Sequence, residues 1–235
     1  MKVHALIHAA FEKAGVVEEW CLKNKYEFKE TSPYLKESLP TIEEFDFLVI
    51  MGGPQSPRDF QRYPYLKKEI NLIKEAIDTN KLVLGFCLGA QLIAEALGVP
   101  TQSSPEKEVG VFPIQLTEEG KKDPLFIDFP DEFPVIHWHY DMPSLPEEAV
   151  LLAASAGCPH QAFRYQNKVY GFQFHMEITK KLAKGLILNC PEDLKASRFT
   201  QTVKDFITSD FEAINQRMEL ILDRLRTLNF QTKAA

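Results

Sequence analysis

The stretch Leu82-Val-Leu-Gly-Phe-Cys-Leu-Gly-Ala-Gln-Leu92 runs from a short apolar segment straight into a helical pattern, with Cys87 at the junction and Gly85 and Gly89 on either side. A chain that turns sharply from strand to helix holds its central residue in a strained conformation, and flanking glycines leave room for backbone to approach closely. The spacing predicts an elbow that presents the Cys87 thiol instead of packing it away. The free N–H groups and positive dipole end of the helix that follows favour a thiolate, so the residue reads as a nucleophile. For the motif alone, a buried structural cysteine is the competing reading.

A nucleophile needs a base, and Val169-Tyr-Gly-Phe-Gln-Phe-His-Met-Glu177 supplies a candidate. The run from Val169 to Phe174 is dense in β-branched and aromatic residues, so it predicts a strand that delivers His175 at its C-terminal end. Glu177 lies two positions on, and in an extended chain its side chain leaves on the same side. It would then hold one ring nitrogen while the other faces Cys87, the arrangement that acyl transfer requires.

Elsewhere strands and helices alternate. Val3–Ile7, Tyr26–Thr31, Phe45–Met51 and Leu82–Phe86 read as strands, and Ala14–Asn24, Tyr65–Thr79 and Ala90–Leu97 as helices. This rhythm predicts an α/β fold, a flavodoxin-like open and mainly parallel sheet with helices on both faces. Right-handed crossovers place the strand C-termini, and with them Cys87 and His175, along one rim. From about Val109 the helical rhythm stops. Val111–Leu116, Phe133–Trp138, Val150–Ala154 and Gln161–Tyr165 read as short strands between Pro- and Gly-bearing turns, which suggests an antiparallel addition.

The order Cys, His, Glu, each at a strand end, resembles the class I glutamine amidotransferase family. Its elbow is Gly-x-Cys-x-Gly, here Gly85 to Gly89, and its later motif Phe-x-His-Pro-Glu stands here as Phe174-His175-Met176-Glu177, with methionine for the usual proline. The strand Phe45–Met51 ends in Gly52-Gly53-Pro54, a turn that in the family gives a backbone N–H to the oxyanion hole. The resemblance thus implies Gly53 and Leu88 as oxyanion donors and Gln91 as a contact to bound glutamine. His137-Trp-His-Tyr-Asp141 and the later Cys158-Pro159 resemble the amidotransferase half of GMP synthetase. That likeness implies a substrate-pocket role for His139, Tyr140 and Asp141, with Tyr140 where the family has a small residue. It covers residues 1–190, an amidotransferase domain, and leaves 191–235 as a C-terminal helical extension.

Within that extension, in the stretch Ser197–Leu228, Phe211, Ile214, Met218, Ile221, Leu225 and Leu228 step by 3, 4, 3, 4 and 3, a heptad seam on a helix. The seam is short for a coiled coil, which favours a terminal helix docked on its own domain; a homodimer interface is the alternative.

Composition sets the class. With 235 residues and 45% hydrophobic content the chain can bury a full core. A formal charge of -6 and a pI near 5.6 argue against a nucleic-acid surface. Cys21, Cys87, Cys158 and Cys190 form no Cys-x-x-Cys pair, and the N-terminus reads as a first strand without an export signal. No run approaches membrane-spanning length, so a cytoplasmic enzyme is expected. No cofactor is expected. His137 and His139 at alternate positions invite a metal reading, but no further ligands stand at zinc-like spacing, so no metal is expected either.

The chemistry implied is release of ammonia from the γ-amide of glutamine through a γ-glutamyl thioester. No phosphate loop or Ser-Gly-Gly-x-Asp pattern follows Glu177, so a synthetase partner in trans, or water, is expected to take the product. A γ-glutamyl hydrolase or peptidase on the same fold is the second reading. A regulatory module without turnover is the third.

Overall fold

Short apolar runs become strands buried on both faces, and the amphipathic stretches between them become the helices that cover those faces. The computed structural model describes residues 1–231, and side chains through residue 228. β1 (Lys2–Leu6) leads through α1 (Val16–Lys23), β2 (Glu27–Thr31), β3 (Phe47–Ile50) and α2 (Leu66–Asp78) to β4 (Leu82–Phe86) and α3 (Leu88–Ala96). Every residue of β3 and β4 is buried, as a parallel strand covered on both sides requires. The chain continues through β5 (Thr101–Leu116), α4 (Glu118–Lys122), β6 (Glu132–Pro143), β7 (Ala149–Ala154), β8 (Ala162–Tyr165) and β9 (Val169–Phe172). It ends with α5 (Lys180–Asn189), β10 (Phe199–Thr200), α6 (Val203–Ile207) and α7 (Phe211–Gln231).

One ten-stranded sheet runs β10-β5-β7-β8-β9-β4-β3-β1-β2, and β6 pairs with β5 off that path. β2, β1, β3, β4 and β9 are parallel, while β5 to β8 add antiparallel structure beside β9. Apolar side chains of α1, α5 and α7 fill one layer and those of α2 and α3 the other. This is the mainly parallel α/β architecture that the alternation predicts. Among the described residues no helix is long and apolar enough to cross a membrane.

Two segments differ from expectation. β5 starts at Thr101, well before the strand predicted from Val111, and β6 runs on past Trp138 to Pro143. Residues 101–108 are polar and include Pro105, so they carry no alternating signal; pairing with β6 holds them extended, with a register shift between Ser103 and Glu108. The C-terminal extension is not helical throughout: β10 and α6 come first, and the helix carrying the heptad seam, α7, begins at Phe211.

The heptad face of α7 rests on the chain itself. Phe211, Ile214, Met218, Ile221 and Leu225 are at most 4% exposed, and Leu228 packs against the same core. Each such side chain contributes about 1.5–3 kcal/mol on burial. Polar ties set the docking angle: Trp20 Nε1 donates to Asp223 at 3.0 Å, and Asn215 donates to the carbonyls of Met176 and Ile178 at 2.9 and 3.0 Å. Residues 232–235, the end of the predicted extension, lie outside the described residues.

Candidate active site

Cys87 joins β4 to α3 at φ 50° and ψ −107°, a left-handed conformation for a residue with a Cβ. Such strain costs about 1–3 kcal/mol and persists only where the surroundings impose it. They do here: a Cβ on Gly85 would lie 2.4 Å from the Gly89 carbonyl carbon, and one on Gly89 would lie 2.1 Å from the Ile50 carbonyl oxygen. Only glycine lets the elbow fold this tightly.

The thiol is not thrust into the open as an elbow alone predicts. Cys87 is 7% exposed, and its Sγ lies 3.7 Å from the Trp138 carbonyl oxygen. β6 covers it through the Trp138 backbone, and Cys87 borders a cavity of about 380 Å³.

His175 lies beyond the end of β9, where its backbone N–H and C=O pair with Ile136 of β6 at 2.7 and 3.0 Å. That bridge keeps the chain extended, and Glu177 follows on the same side. Glu177 Oε1 is 2.6 Å from His175 Nδ1, and Glu177 Oε2 accepts the Met176 N–H at 3.0 Å. Burial works against a charge on the ring, but the Glu177 carboxylate and the neighbouring Cys87 side chain outweigh it and hold the pKa well above the ordinary histidine value.

Gly53 and Leu88 both line the cavity. Leu88 is the first residue of α3, so its amide has no partner four residues back. Among the described residues neither amide donates a hydrogen bond outside regular structure. Gln91, 3% exposed, also borders the cavity and donates through Nε2 to Gln173 at 3.1 Å.

Four successive residues of β6, Trp138, His139, Tyr140 and Asp141, border the cavity, and the Asp141 carboxylate is held by Ser56 Oγ at 2.7 Å and Arg58 at 2.9 Å. The His139 ring is anchored by Glu108, 3.1 Å from its Nε2. There Glu108, His137 and His139 bring ligand-type atoms within 4.8 Å of one another. The Gln161 amide nitrogen sits among them, 2.7 Å from Glu108, 3.2 Å from His137 and 3.3 Å from His139. A hydrogen-bond network thus fills the place an ion would take. Burial lowers the His137 pKa to about 3, leaving that ring neutral.

Glu12 and Asp193 are among the cavity residues that sequence reasoning missed. Glu12 follows β1 and so stands on the same rim as the elbow; that position, a carboxylate just past a strand's C-terminal end, was the available signal. Asp193 follows α5, and nothing in its local sequence marks it.

Comparisons with known proteins bear on the family and the fold. The family model for glutamine amidotransferase class-I matches residues 3–190. The glutamine amidotransferase-like protein YfeJ of Salmonella typhimurium is 41% identical, the alignment covering 98% of this chain and 100% of that one. The glutamine-hydrolysing GMP synthase of Streptococcus mutans is 29% identical over 73% of this chain but only 32% of its own length. A crystal structure of a glutamine amido transferase from Methylobacillus flagellatus superposes with a TM-score of 0.90 at 26% identity, covering 97% of this chain and 94% of that one. Elbow, sheet and sequence lead to one conclusion: this chain belongs to the class I glutamine amidotransferase family.

Proposed function

We propose that the protein hydrolyses the γ-amide of glutamine with Cys87 as nucleophile, His175 as acid and base, and Glu177 as the group that orients the imidazole. The observation that carries this reading is that Glu177 Oε1 holds His175 Nδ1 at 2.6 Å while the Cys87 side chain stands close enough to that ring to raise its pKa.

The Cys87 thiolate attacks the γ-carbonyl carbon, and the amide N–H groups of Gly53 and Leu88 take the charge that builds on oxygen. Donors aimed at that oxygen lower the barrier by about 3–4 kcal/mol each. His175 gives its proton to the leaving nitrogen, so the C–N bond breaks and ammonia departs. Water, losing a proton to His175, then attacks the γ-glutamyl thioester; the C–S bond breaks and glutamate leaves. Gln91 and the backbone of His139 to Asp141 hold the donor. Ammonia passes to solution or to a separate acceptor enzyme, as this chain aligns with only a third of the GMP synthase.

Purified protein given glutamine should release ammonia and glutamate in equal amounts, and Cys87→Ala should fall to the uncatalysed background. Turnover that survives in Cys87→Ala would refute the assignment.

A further inference from the structure

Four carboxylates border the same cavity as Cys87, namely Glu12, Asp141, Glu192 and Asp193, and none of its lining residues is a lysine or an arginine. Three of the four are already engaged. Asp141 is held by Ser56 and Arg58, and Glu192 pairs with Lys195 at 2.5 Å. The Asp193 carboxylate accepts Trp138 Nε1 at 2.7 Å and the Tyr140 hydroxyl at 2.6 Å, one donor on each oxygen. The Glu12 carboxyl accepts no such hydrogen bond among the described residues. Its neighbours act on it through charge, and burial raises its pKa to about 7.

The free carboxyl has a definite place. A Cβ built on Gly52 would lie 2.6 Å from Glu12 Oε2, 2.9 Å from His175 Cε1 and 3.6 Å from Cys87 Cβ, so the three side chains meet around one backbone position. Cε1 is bonded to both ring nitrogens, and because Glu177 holds Nδ1, it is Nε2 that is left to serve a substrate. A nitrogen protonated there lies beside Glu12. Behind Gly52, Glu12 also borders a second cavity with Met51, Ile178 and Leu182; at about 10 Å³ it suits one water-sized molecule, and so ammonia, but not the amino-acid end of a donor.

We propose that Glu12 is a further catalytic residue of the amide cleavage, its carboxylate accepting hydrogen bonds from the departing nitrogen and stabilising the positive charge that develops there. The proposal rests on the hydrolase reading above. In the tetrahedral adduct on Cys87, His175 Nε2 gives its proton to the amide nitrogen, which becomes a bound ammonium group. An oxyanion electron pair then re-forms the C=O bond, the C–N bond breaks with its pair staying on nitrogen, and neutral ammonia leaves. Glu12 exchanges no proton and forms no covalent bond. It sets a negative charge beside a nitrogen that is positive only between protonation and bond cleavage, so it lowers the barrier without tightening the binding of the ground state.

The test is kcat and KM for glutamine, read as glutamate release well above the Glu12 pKa of about 7, in the wild type, Glu12→Gln and Glu12→Ala, with circular dichroism and thermal unfolding as controls. Glutamine at this position keeps the shape and one acceptor but not the charge. We expect kcat to fall about tenfold in Glu12→Gln and about a hundredfold in Glu12→Ala, with KM within about twofold of the wild type. Ammonium chloride gives a second reading, because ammonium mimics the protonated nitrogen: it should inhibit the wild type more than sodium chloride at equal ionic strength, and that excess should vanish in Glu12→Gln. Folded variants with the wild-type kcat would overturn the proposal, as would a rise in KM at constant kcat, which would make Glu12 a subsite for the α-ammonium of the donor. A wild type that ammonium inhibits no more than sodium would overturn it even if neither variant folds. In each of these cases Cys87-dependent hydrolysis would stand; a wild type that releases no glutamate would remove the hydrolysis and the role of Glu12 together.

Discussion

The Glu12 carboxylate and the His175 imidazole converge on one point: a Cβ placed on Gly52 would lie 2.6 Å from Glu12 Oε2 and 2.9 Å from His175 Cε1. The three residues come from the loop after β1, the turn after β3 and the end of β9, so no local pattern unites them. Only the packed rim does.

That convergence gives a pH prediction. Burial raises the Glu12 pKa to about 7, opposed by His175 and reinforced by Glu177, with smaller effects from His8 and Asp193. Ionised Glu12 adds a negative charge that favours the imidazolium. Glu12→Gln removes it, so the limb of the pH–kcat/KM profile that reports His175 should move to lower pH. A limb that stays where the wild type has it would show that Glu12 does not sense the imidazole.

Glu177→Gln keeps the volume beside His175 Nδ1 but removes the charge that holds the imidazole pKa up. We expect kcat for glutamine to fall about 10²- to 10⁴-fold with KM little changed, because ring orientation and proton affinity act in the transition state. Loss of KM instead of kcat would place Glu177 in binding.

Two glycine variants should separate chemistry from folding. Gly89→Ala drives a Cβ into the Ile50 carbonyl oxygen at 2.1 Å, backbone against backbone, and should destabilise the protein by at least about 1–3 kcal/mol in denaturant titration. Gly52→Ala meets the ends of the Glu12 and His175 side chains, so activity should suffer far more than the unfolding midpoint. The reverse ranking would contradict the elbow geometry.

Beneath the Gly53 turn, His8 and Glu69 form a fully buried pair at 2.7 Å. Burial disfavours a charged His8, but Glu69 outweighs it and raises the pKa above the ordinary value. A raised folded pKa means that this contribution is complete below the unfolded histidine pKa, about 6.5, and fades as pH rises through the folded value. Glu69→Gln, which leaves His8 without its charge partner, should cost about 3–5 kcal/mol at pH 6 and less at alkaline pH. A cost that grows with pH would reverse the sign of the coupling.

Much of this could be read along the chain because it is written locally. The elbow at Cys87 needs glycine at two positions three-dimensional neighbours would otherwise occupy, and β3 and β4 are apolar throughout because both their faces are covered. His175 and Glu177 are two residues apart, so an extended backbone suffices to pair them. The heptad face of α7 showed that a helix buries one side, but not against what; ties such as Trp20 to Asp223 settled that on the chain's own body.

What tertiary structure alone decided are relations between segments that no periodicity links. β6 covers, through the Trp138 backbone, a thiol that the elbow would have left open. Glu12 reaches the imidazole from the first loop, and Asp193 grips Trp138 and Tyr140 from the turn after α5. The physical reason is range: backbone strain and strand or helix periodicity act over a few residues, whereas hydrogen bonds and packing between distant segments exist only after the chain has folded.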